Sequence, residues 1–182
     1  MTCIVGVEAE GKVVIGGDSW TSDDWSGAPL GSPKVFRSGE FAYGYAGSLR
    51  AGQVLEHIFV PPRLAPSPES SSIDRYMVAS WATLLQNAME GVSVESTDAA
   101  DWQFLVGLRS RLYVVESDYT VWRSARGYHA IGTGSEFALG AMHALRAGRP
   151  GFAPSVVVQL AIASACEHAN TVRGPITVVE VP

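Results

Sequence analysis

Residues 1–20 of the chain read MTCIVGVEAEGKVVIGGDSW, and this stretch decides how the rest of the sequence is interpreted. Residues 2–7 are an apolar run rich in β-branched side chains, and residues 12–18 are a second such run. The EAEG between them is typical of a turn, so the pattern predicts an antiparallel hairpin. A hairpin would bring Asp18, at the end of its second strand, back beside Thr2 at the start of its first.

Thr2 combines two groups that chemistry can use together. A threonine hydroxyl is a poor nucleophile unless a base removes its proton. Threonine is small enough for cytosolic removal of Met1, which would free an α-amine with a reference pKa of about 7.7–8.0. A general base of this kind contributes on the order of 10²–10⁴ in rate. We therefore predict that Thr2 is an N-terminal nucleophile.

Such a nucleophile needs a cation near its hydroxyl, an acid that holds the cation, and a donor for the oxyanion. Asp18 and Lys34 follow Thr2 by 16 and 32 residues and are both expected at strand ends. Gly47 follows another strand and can present a backbone N–H, a contribution worth about 10²–10³ in turnover. Singly, Asp18 also fits a turn cap, Lys34 a surface lysine, and residues 46–48 a strand-to-helix turn. The joint pattern favours a site.

Composition limits the remaining possibilities. The 182 residues are 47% hydrophobic and 17% charged, which predicts one globular domain over residues 1–182. The net charge of −5 argues against a nucleic-acid partner and an anionic membrane. Cys3 and Cys166 show no zinc spacing, and we expect no metal and no cofactor. With no signal peptide and no apolar run of about 20 residues, a cytoplasmic location is expected.

The order of the predicted elements indicates the fold class. After the hairpin come a loop at residues 21–33 and two strands around Ser38, and a meander is expected over residues 102–125. A proline-rich loop covers residues 61–72. Blocks of strands and helices predict an α+β protein with two packed antiparallel sheets covered by helices on both outer sides. The last helix is apolar nearly all round, which is typical of burial between a sheet and another helix or subunit. The remaining predicted helices and strands cover residues 49–59, 73–89, 133–145, 154–168, 128–132 and 176–181.

Five motifs link the sequence to a known family: IVGV at 4–7, VVIGGDS at 13–19, KVFR at 34–37, YAGS at 45–48 and AIGTGSEFALGA at 130–141. In their order and spacing the chain resembles the β-type subunits of the proteasome. It resembles more closely the peptidase of the bacterial two-component ATP-dependent protease. These proteins are N-terminal nucleophile (Ntn) hydrolases, and the resemblance implies a four-layer α-β-β-α sandwich.

The resemblance also implies roles for individual residues. Thr2 would be the nucleophile, Asp18 and Lys34 the charge pair, and Gly47 the oxyanion donor. Thr133 stands where the family often has a serine that touches the terminal amine. His168 and Thr171 stand where the proteasome has a late aspartate and serine, so the acid is absent at that position and Glu167 lies one place before it. Either His168 or Glu167 would then orient the amine differently, or activity would be weak. The implied wall of the substrate pocket consists of Thr21, Ser32, Tyr45, Ser48 and Leu49.

Three functions remain open on the sequence. The resemblance implies a threonine-type peptidase that acts on polypeptides within a homo-oligomeric ring, supplied by an unfolding ATPase. The missing late acid, or a retained Met1 that blocks the amine, would instead fit a catalytically silent structural or binding subunit. Loss of both Met1 and Thr2 would expose Cys3 as the nucleophile of a small-amide amidohydrolase, but the spacing to Asp18 and Lys34 is then off by one.

Overall fold

The computed structural model describes residues 2–22, 26–64, 70–91, 102–148 and 151–182. Helical segments are α1 (Leu49–His57), α2 (Ser70–Tyr76), α3 (Ala82–Glu90), α4 (Ser135–Gly148) and α5 (Pro154–His168). The strands are β1 (Ile4–Ala9), β2 (Lys12–Gly17), β3 (Trp20–Ser22), β4 (Gly27–Pro29), β5 (Val35–Ser38), β6 (Phe41–Gly47), β7 (Trp102–Leu108), β8 (Arg111–Glu116), β9 (Val121–Trp122), β10 (Tyr128–Ile131) and β11 (Thr177–Val181). None of the described helices is both long enough and apolar enough to span a bilayer.

The predicted N-terminal hairpin is confirmed. Strands β1 and β2 pair antiparallel from Ile4 opposite Gly17 to Ala9 opposite Lys12. The two residues between the strands, Glu10 and Gly11, have φ of 56° and 72°. Positive φ at both central residues is the turn geometry that matches the twist of paired strands. This tight turn sets the register, and the register brings the start of β1 level with the end of β2.

Two larger antiparallel sheets contain most of the strands. The first has the order β10-β1-β2-β11 and the second the order β5-β6-β7-β8-β9. Along β6, side chains alternate between the two faces of the second sheet, as the two-residue period of a strand requires. Tyr43 and Tyr45 belong to the apolar cluster on the helix side, and Ala42 and Ala46 to the cluster on the opposite face.

Buried apolar side chains of the described residues form three clusters. One lies between the two sheets and includes Ile4, Ile15 and Leu105. A second joins the first sheet to α4 and α5. A third joins the second sheet to α1, α2 and α3, with Trp81 fully buried in it. Each sheet is therefore apolar on both faces, which explains why its strands are nearly continuous runs of apolar residues.

Helix α5 has the predicted bounds. It is buried on two sides, by a sheet and by another helix, as its apolar sequence predicts. It packs on β1 and β2 with one face and on α4 with another. Val158, Ala161 and Ile162 are fully buried in these contacts, while Leu160 is 42% exposed.

Two predictions of local structure were wrong in detail. Residues 21–33 were expected to be a loop, but β3 and β4 form a two-stranded sheet there. Backbone pairing holds it, and residues rich in glycine and serine give no strand signal. The helix expected at 73–89 spans α2 and α3, but residues Met77–Trp81 between them are a π-helical segment. The apolar spacing cannot reveal a locally widened turn.

Candidate active site

Three chain segments bring Thr2, Asp18 and Lys34 together. Thr2 lies two residues before the first strand of the hairpin, Asp18 follows its second strand, and Lys34 precedes β5. The backbone amide of Asp18 donates to the carbonyl of Cys3 at 3.3 Å, which continues the hairpin pairing towards Thr2. Thr2, Asp18 and Lys34 are 3%, 0% and 1% exposed. Polar residues this deeply buried require hydrogen-bond partners within the protein.

Those bonds converge on the Lys34 ammonium group. Its Nζ donates to Thr2 Oγ1 at 2.9 Å, to Asp18 Oδ2 at 2.9 Å and to the backbone carbonyl of Trp20 at 2.5 Å. The Asp18 carboxylate is held in turn, because Oδ1 accepts from the amide of Cys3 at 2.8 Å and Oδ2 from the amide of Trp20 at 3.1 Å. The aspartate thus fixes the lysine, and the lysine contacts the threonine hydroxyl.

The protonation state of Lys34 follows from this arrangement. Burial lowers the pKa of Lys34 from its ordinary 10.5, although the neighbouring Asp18 charge opposes that shift. The acceptors around Nζ, all from described residues, suit the N–H donors of an ammonium group. The positive charge therefore lies next to Thr2 Oγ1, where it would stabilise an alkoxide.

A second set of contacts surrounds the backbone of Thr2. Its nitrogen donates to Thr133 Oγ1 at 3.2 Å, and Thr133 Oγ1 lies 3.2 Å from Thr171 Oγ1. The amide of Gly134 donates to the carbonyl of Thr2 at 3.1 Å. Gly132 has φ of +89°, and a Cβ there would collide with the carbonyl oxygen of Thr2. The segment at 132–134 thus packs so closely on Thr2 that it needs glycine at its first position.

A cavity of about 480 Å³ opens beside Thr2. Gly47, with φ of +86°, lies at the end of β6 and is part of its lining. The cavity is lined by Thr2 and Thr133 and also, from the second sheet, by Gly47, Trp102, Gln103 and Glu116. The nucleophile candidate, its nitrogen partner and the predicted oxyanion donor therefore border one accessible space.

No protein-family model and no curated protein matches the sequence. Among solved structures, Thiobacillus denitrificans BPH in complex with epoxomicin is similar at 22% identity with a TM-score of 0.79, covering 99% of this chain and 98% of that one. HslV from Trypanosoma brucei is similar at 18% identity with a TM-score of 0.71, covering 99% of each chain. An Anbu variant from Hyphomicrobium is similar at 19% identity with a TM-score of 0.71, covering 98% and 82%.

The chain has the fold of the HslV-like, proteasome-type Ntn peptidases. The family resemblance seen in the sequence is confirmed at this level. Since the identities lie below 25%, the similarity concerns the fold, and the chemistry has to be argued from the residues themselves.

Within this proteasome-type fold, Thr171 and His168 lie in different surroundings. Thr171 reaches the Thr2 nitrogen through the hydroxyl of Thr133. His168 is exposed at the end of α5, and its ring lies 5.7 Å from the ring of Phe137. In the described part of the chain, no hydrogen bond joins His168 to Thr2, Thr133 or Thr171. The hydroxyl of Thr171, and not the imidazole, thus takes part in the contacts around the nitrogen.

The five residues predicted as a pocket wall do not line the cavity beside Thr2. Tyr45 is 5% exposed and packs against Gly52 of α1, where an added Cβ would approach its ring to 2.5 Å. Strand alternation instead places the neighbouring Ala46 at the cavity. The structure places the other four on nearby elements: Thr21 in β3, beside a separate cavity of about 270 Å³; Ser32 exposed before Lys34; Ser48 as the N-cap of α1; and Leu49, 38% exposed, as its first residue.

Sequence reasoning missed the part of the cavity wall that comes from the second sheet. Trp102 pairs with Gly47, and Gln103 pairs with Ala46 on one side and Glu116 on the other. No motif marks these residues, because they reach the cavity through strand register across sheet neighbours distant in the chain. In the pairing of β6 with β7, these residues lie beside the Gly47 position. A correct prediction of that register could therefore have found them.

Proposed function

We propose that the chain is an Ntn hydrolase of the threonine type, which cleaves peptide bonds with Thr2 as nucleophile once Met1 has been removed. The observation that supports this most directly is the position of Lys34 Nζ. It lies 2.9 Å from both Thr2 Oγ1 and Asp18 Oδ2 in a buried site. The backbone nitrogen of Thr2, which becomes the α-amine once Met1 is removed, contacts Thr133. The hydroxyl and the nitrogen of Thr2 therefore each have a partner.

Acylation would proceed in two steps. The free α-amine of Thr2 takes the proton of the Oγ1 hydroxyl, and Oγ1 forms a bond with the substrate carbonyl carbon. The carbonyl oxygen becomes an oxyanion, for which the Gly47 backbone N–H is the proposed donor. When the carbon–nitrogen bond breaks, the proton on the Thr2 ammonium passes to the leaving amine. The product is an ester between Oγ1 and the acyl half of the substrate.

Deacylation reverses these roles with water. The Thr2 amine takes a proton from a water molecule whose oxygen attacks the ester carbon. The bond from carbon to Oγ1 breaks, Oγ1 regains the proton, and a carboxylic acid leaves. Lys34 stabilises negative charge on Oγ1 in both halves, and Thr133 and Thr171 orient the amine.

The proposal also covers the layer arrangement of the fold and the assembly of subunits. The three apolar clusters support a four-layer α-β-β-α sandwich. We also propose a homo-oligomeric ring, because α4, α5 and the segment before α5 carry Phe137, Phe152 and Leu160 with 42%, 43% and 42% exposure. Exposed apolar side chains of this size favour a subunit contact where they form a contiguous patch. The family resemblance implies an unfolding ATPase that delivers polypeptides to such a ring.

The Cys3 alternative has less support from the geometry. Cys3 is fully buried, and burial together with the Asp18 charge raises the pKa of its thiol to about 12. Its backbone nitrogen donates to Asp18 and its carbonyl accepts from the amide of the same residue. A thiol in this state is a packing group, since the thiolate is the reactive form.

Intact mass spectrometry with epoxomicin tests the proposed function. Epoxomicin is the compound bound by Thiobacillus denitrificans BPH in its solved complex. We expect the purified chain to lack Met1 only and to gain the mass of one epoxomicin molecule. A chain that retains Met1 and stays unmodified would point to the silent subunit, and loss of both Met1 and Thr2 would point to Cys3.

The pH dependence of kcat/KM is expected to be bell-shaped. On the acid side, activity rises as the Thr2 α-amine loses its proton, with a reference pKa of about 7.7–8.0. On the alkaline side, activity falls as the Lys34 ammonium loses its proton. Because burial lowers the pKa of Lys34, this fall should occur below pH 10.5. A profile that stays flat beyond pH 10.5, or whose alkaline limb does not move in Lys34→Arg, would contradict the assignment.

A further inference from the structure

The cavity beside Thr2 is bordered by Thr133, the partner of the Thr2 nitrogen. In the proposed function, on which this inference rests, the Thr2 nitrogen returns the proton to the leaving amine. That nitrogen contacts Thr133 Oγ1, and both Thr2 and Thr133 line the cavity. Lys34 and Asp18, which serve the hydroxyl, are not part of the lining. The substrate residue that follows the scissile bond would therefore enter this cavity.

Glu116 gives the wall of the cavity a carboxylate held in a defined position. Its Oε2 accepts from Gln103 Nε2 at 2.9 Å, and its Oε1 accepts from Trp122 Nε1 at 2.9 Å. Two bonds to groups on different strands fix the side chain at the end of β8. An ionised carboxylate has about four acceptor positions, so oxygen lone pairs remain for a ligand.

The charge of Glu116 is not balanced by its neighbours. Both of its donors are neutral, and within residues 2–22, 26–64, 70–91, 102–148 and 151–182 no lysine or arginine forms an ion pair with it. Burial lowers the pKa of the nearby His129, and the charge of Glu116 opposes this shift only in part. The imidazole therefore stays neutral near pH 7 and adds no positive charge.

Ala46 and Gln103 complete the features that a cationic side chain would use. Both line the cavity, and the pairing of Gln103 with Ala46 and with Glu116 places these three side chains on one face of the sheet, whereas the ring of Trp102 packs on Phe104 on the helix face. Lysine and arginine pack their aliphatic stems on apolar surface while the charged end reaches a polar partner. We propose that Ala46, Gln103 and Glu116 form a subsite for a lysine or arginine directly after the scissile bond, with Glu116 as the specificity-determining residue.

Cleavage of matched peptides tests this subsite. Internally quenched peptides would be identical except for lysine, leucine or glutamate after the scissile bond, with the cleavage position verified by mass spectrometry of the products. We expect kcat/KM to be about five- to tenfold higher for lysine than for leucine, and lowest for glutamate. In Glu116→Gln the lysine-to-leucine ratio should fall to within about twofold, since the charge is lost.

The controls separate the subsite from the proposed function. Glu40→Gln removes the same charge at an exposed position, where Glu40 pairs with Arg109, and should keep the wild-type ratio. The ratio cancels any general loss of activity in Glu116→Gln. As a test that needs no variant, raising the salt to about 0.5 M should reduce the wild-type ratio.

Two outcomes would overturn the inference in different ways. If peptides are cleaved but wild type shows no lysine preference, or Glu116→Gln keeps it, the subsite is wrong and the hydrolase proposal stands. If peptidyl aminocoumarin amides are not cleaved and epoxomicin does not react, the proposed function fails and the subsite falls with it.

Discussion

Thr2→Ala is expected to remove peptide hydrolysis, with a loss in kcat/KM on the order of 10³–10⁶. The variant still has an α-amine after Met1 is removed, but it has no oxygen that could form the ester. Lys34 and Asp18 keep each other as partners, so the ion pair and the fold should persist. Fluorogenic peptide hydrolysis measures the activity, and circular dichroism with thermal unfolding checks the fold.

Thr2→Ser is the matched control for this prediction. Serine keeps a hydroxyl within reach of Lys34 and an α-amine next to Thr133, and it loses only a methyl group. We expect it to retain activity and to react with epoxomicin. If Thr2→Ala hydrolyses peptides as fast as wild type, another residue is the nucleophile, and the mechanism proposed for this site is wrong.

Lys34→Met is expected to have two effects of different origin. Loss of the positive charge beside Thr2 Oγ1 should lower kcat by about 10²–10³. The same substitution leaves the Asp18 carboxylate fully buried without its cation, and such a break costs about 3–5 kcal/mol in the free energy of unfolding. Steady-state kinetics and urea unfolding measure the two effects separately.

The double variant Asp18→Asn with Lys34→Met distinguishes them. An asparagine side chain in place of Asp18 is neutral, and its oxygen can still accept from the amide of Cys3, so part of the lost stability should return. Activity should remain as low as in Lys34→Met, because no cation faces Thr2. Recovery of activity together with stability would mean that Lys34 acts only through folding. Equal stability of wild type and Lys34→Met would contradict the burial argument.

The sequence alone was sufficient for features set by neighbours in the chain. The hairpin follows from two β-branched runs and a short turn, and the turn determines that Asp18 returns to Thr2. Lys34 could be predicted as the third member of the site because it lies at the start of a strand that begins near Thr2 and Asp18. Helix α5 could be bounded because Pro154 suits a first helical position and the residues after it are apolar.

Other features depended on contacts that no local pattern contains. Strand pairing between β6, β7 and β8 brings Gln103 and Glu116 to the cavity, and the face of β6 turns Tyr45 away from it while presenting Ala46. The closeness of Thr133 to the Thr2 nitrogen depends on packing across 131 residues of chain. His168 illustrates the same limit, because the resemblance puts it at the position of the proteasome's late aspartate, while its place at the end of α5 leaves it exposed against Phe137.

By itself, then, the sequence determined the chemical groups near the N-terminus and their spacing, because a hairpin with a two-residue turn has one register that buries its apolar faces. Only the tertiary structure decided which groups border the space beside Thr2 and which charge that space presents. Those contacts join strands far apart in the chain, and their selection depends on how two sheets and their helices pack together.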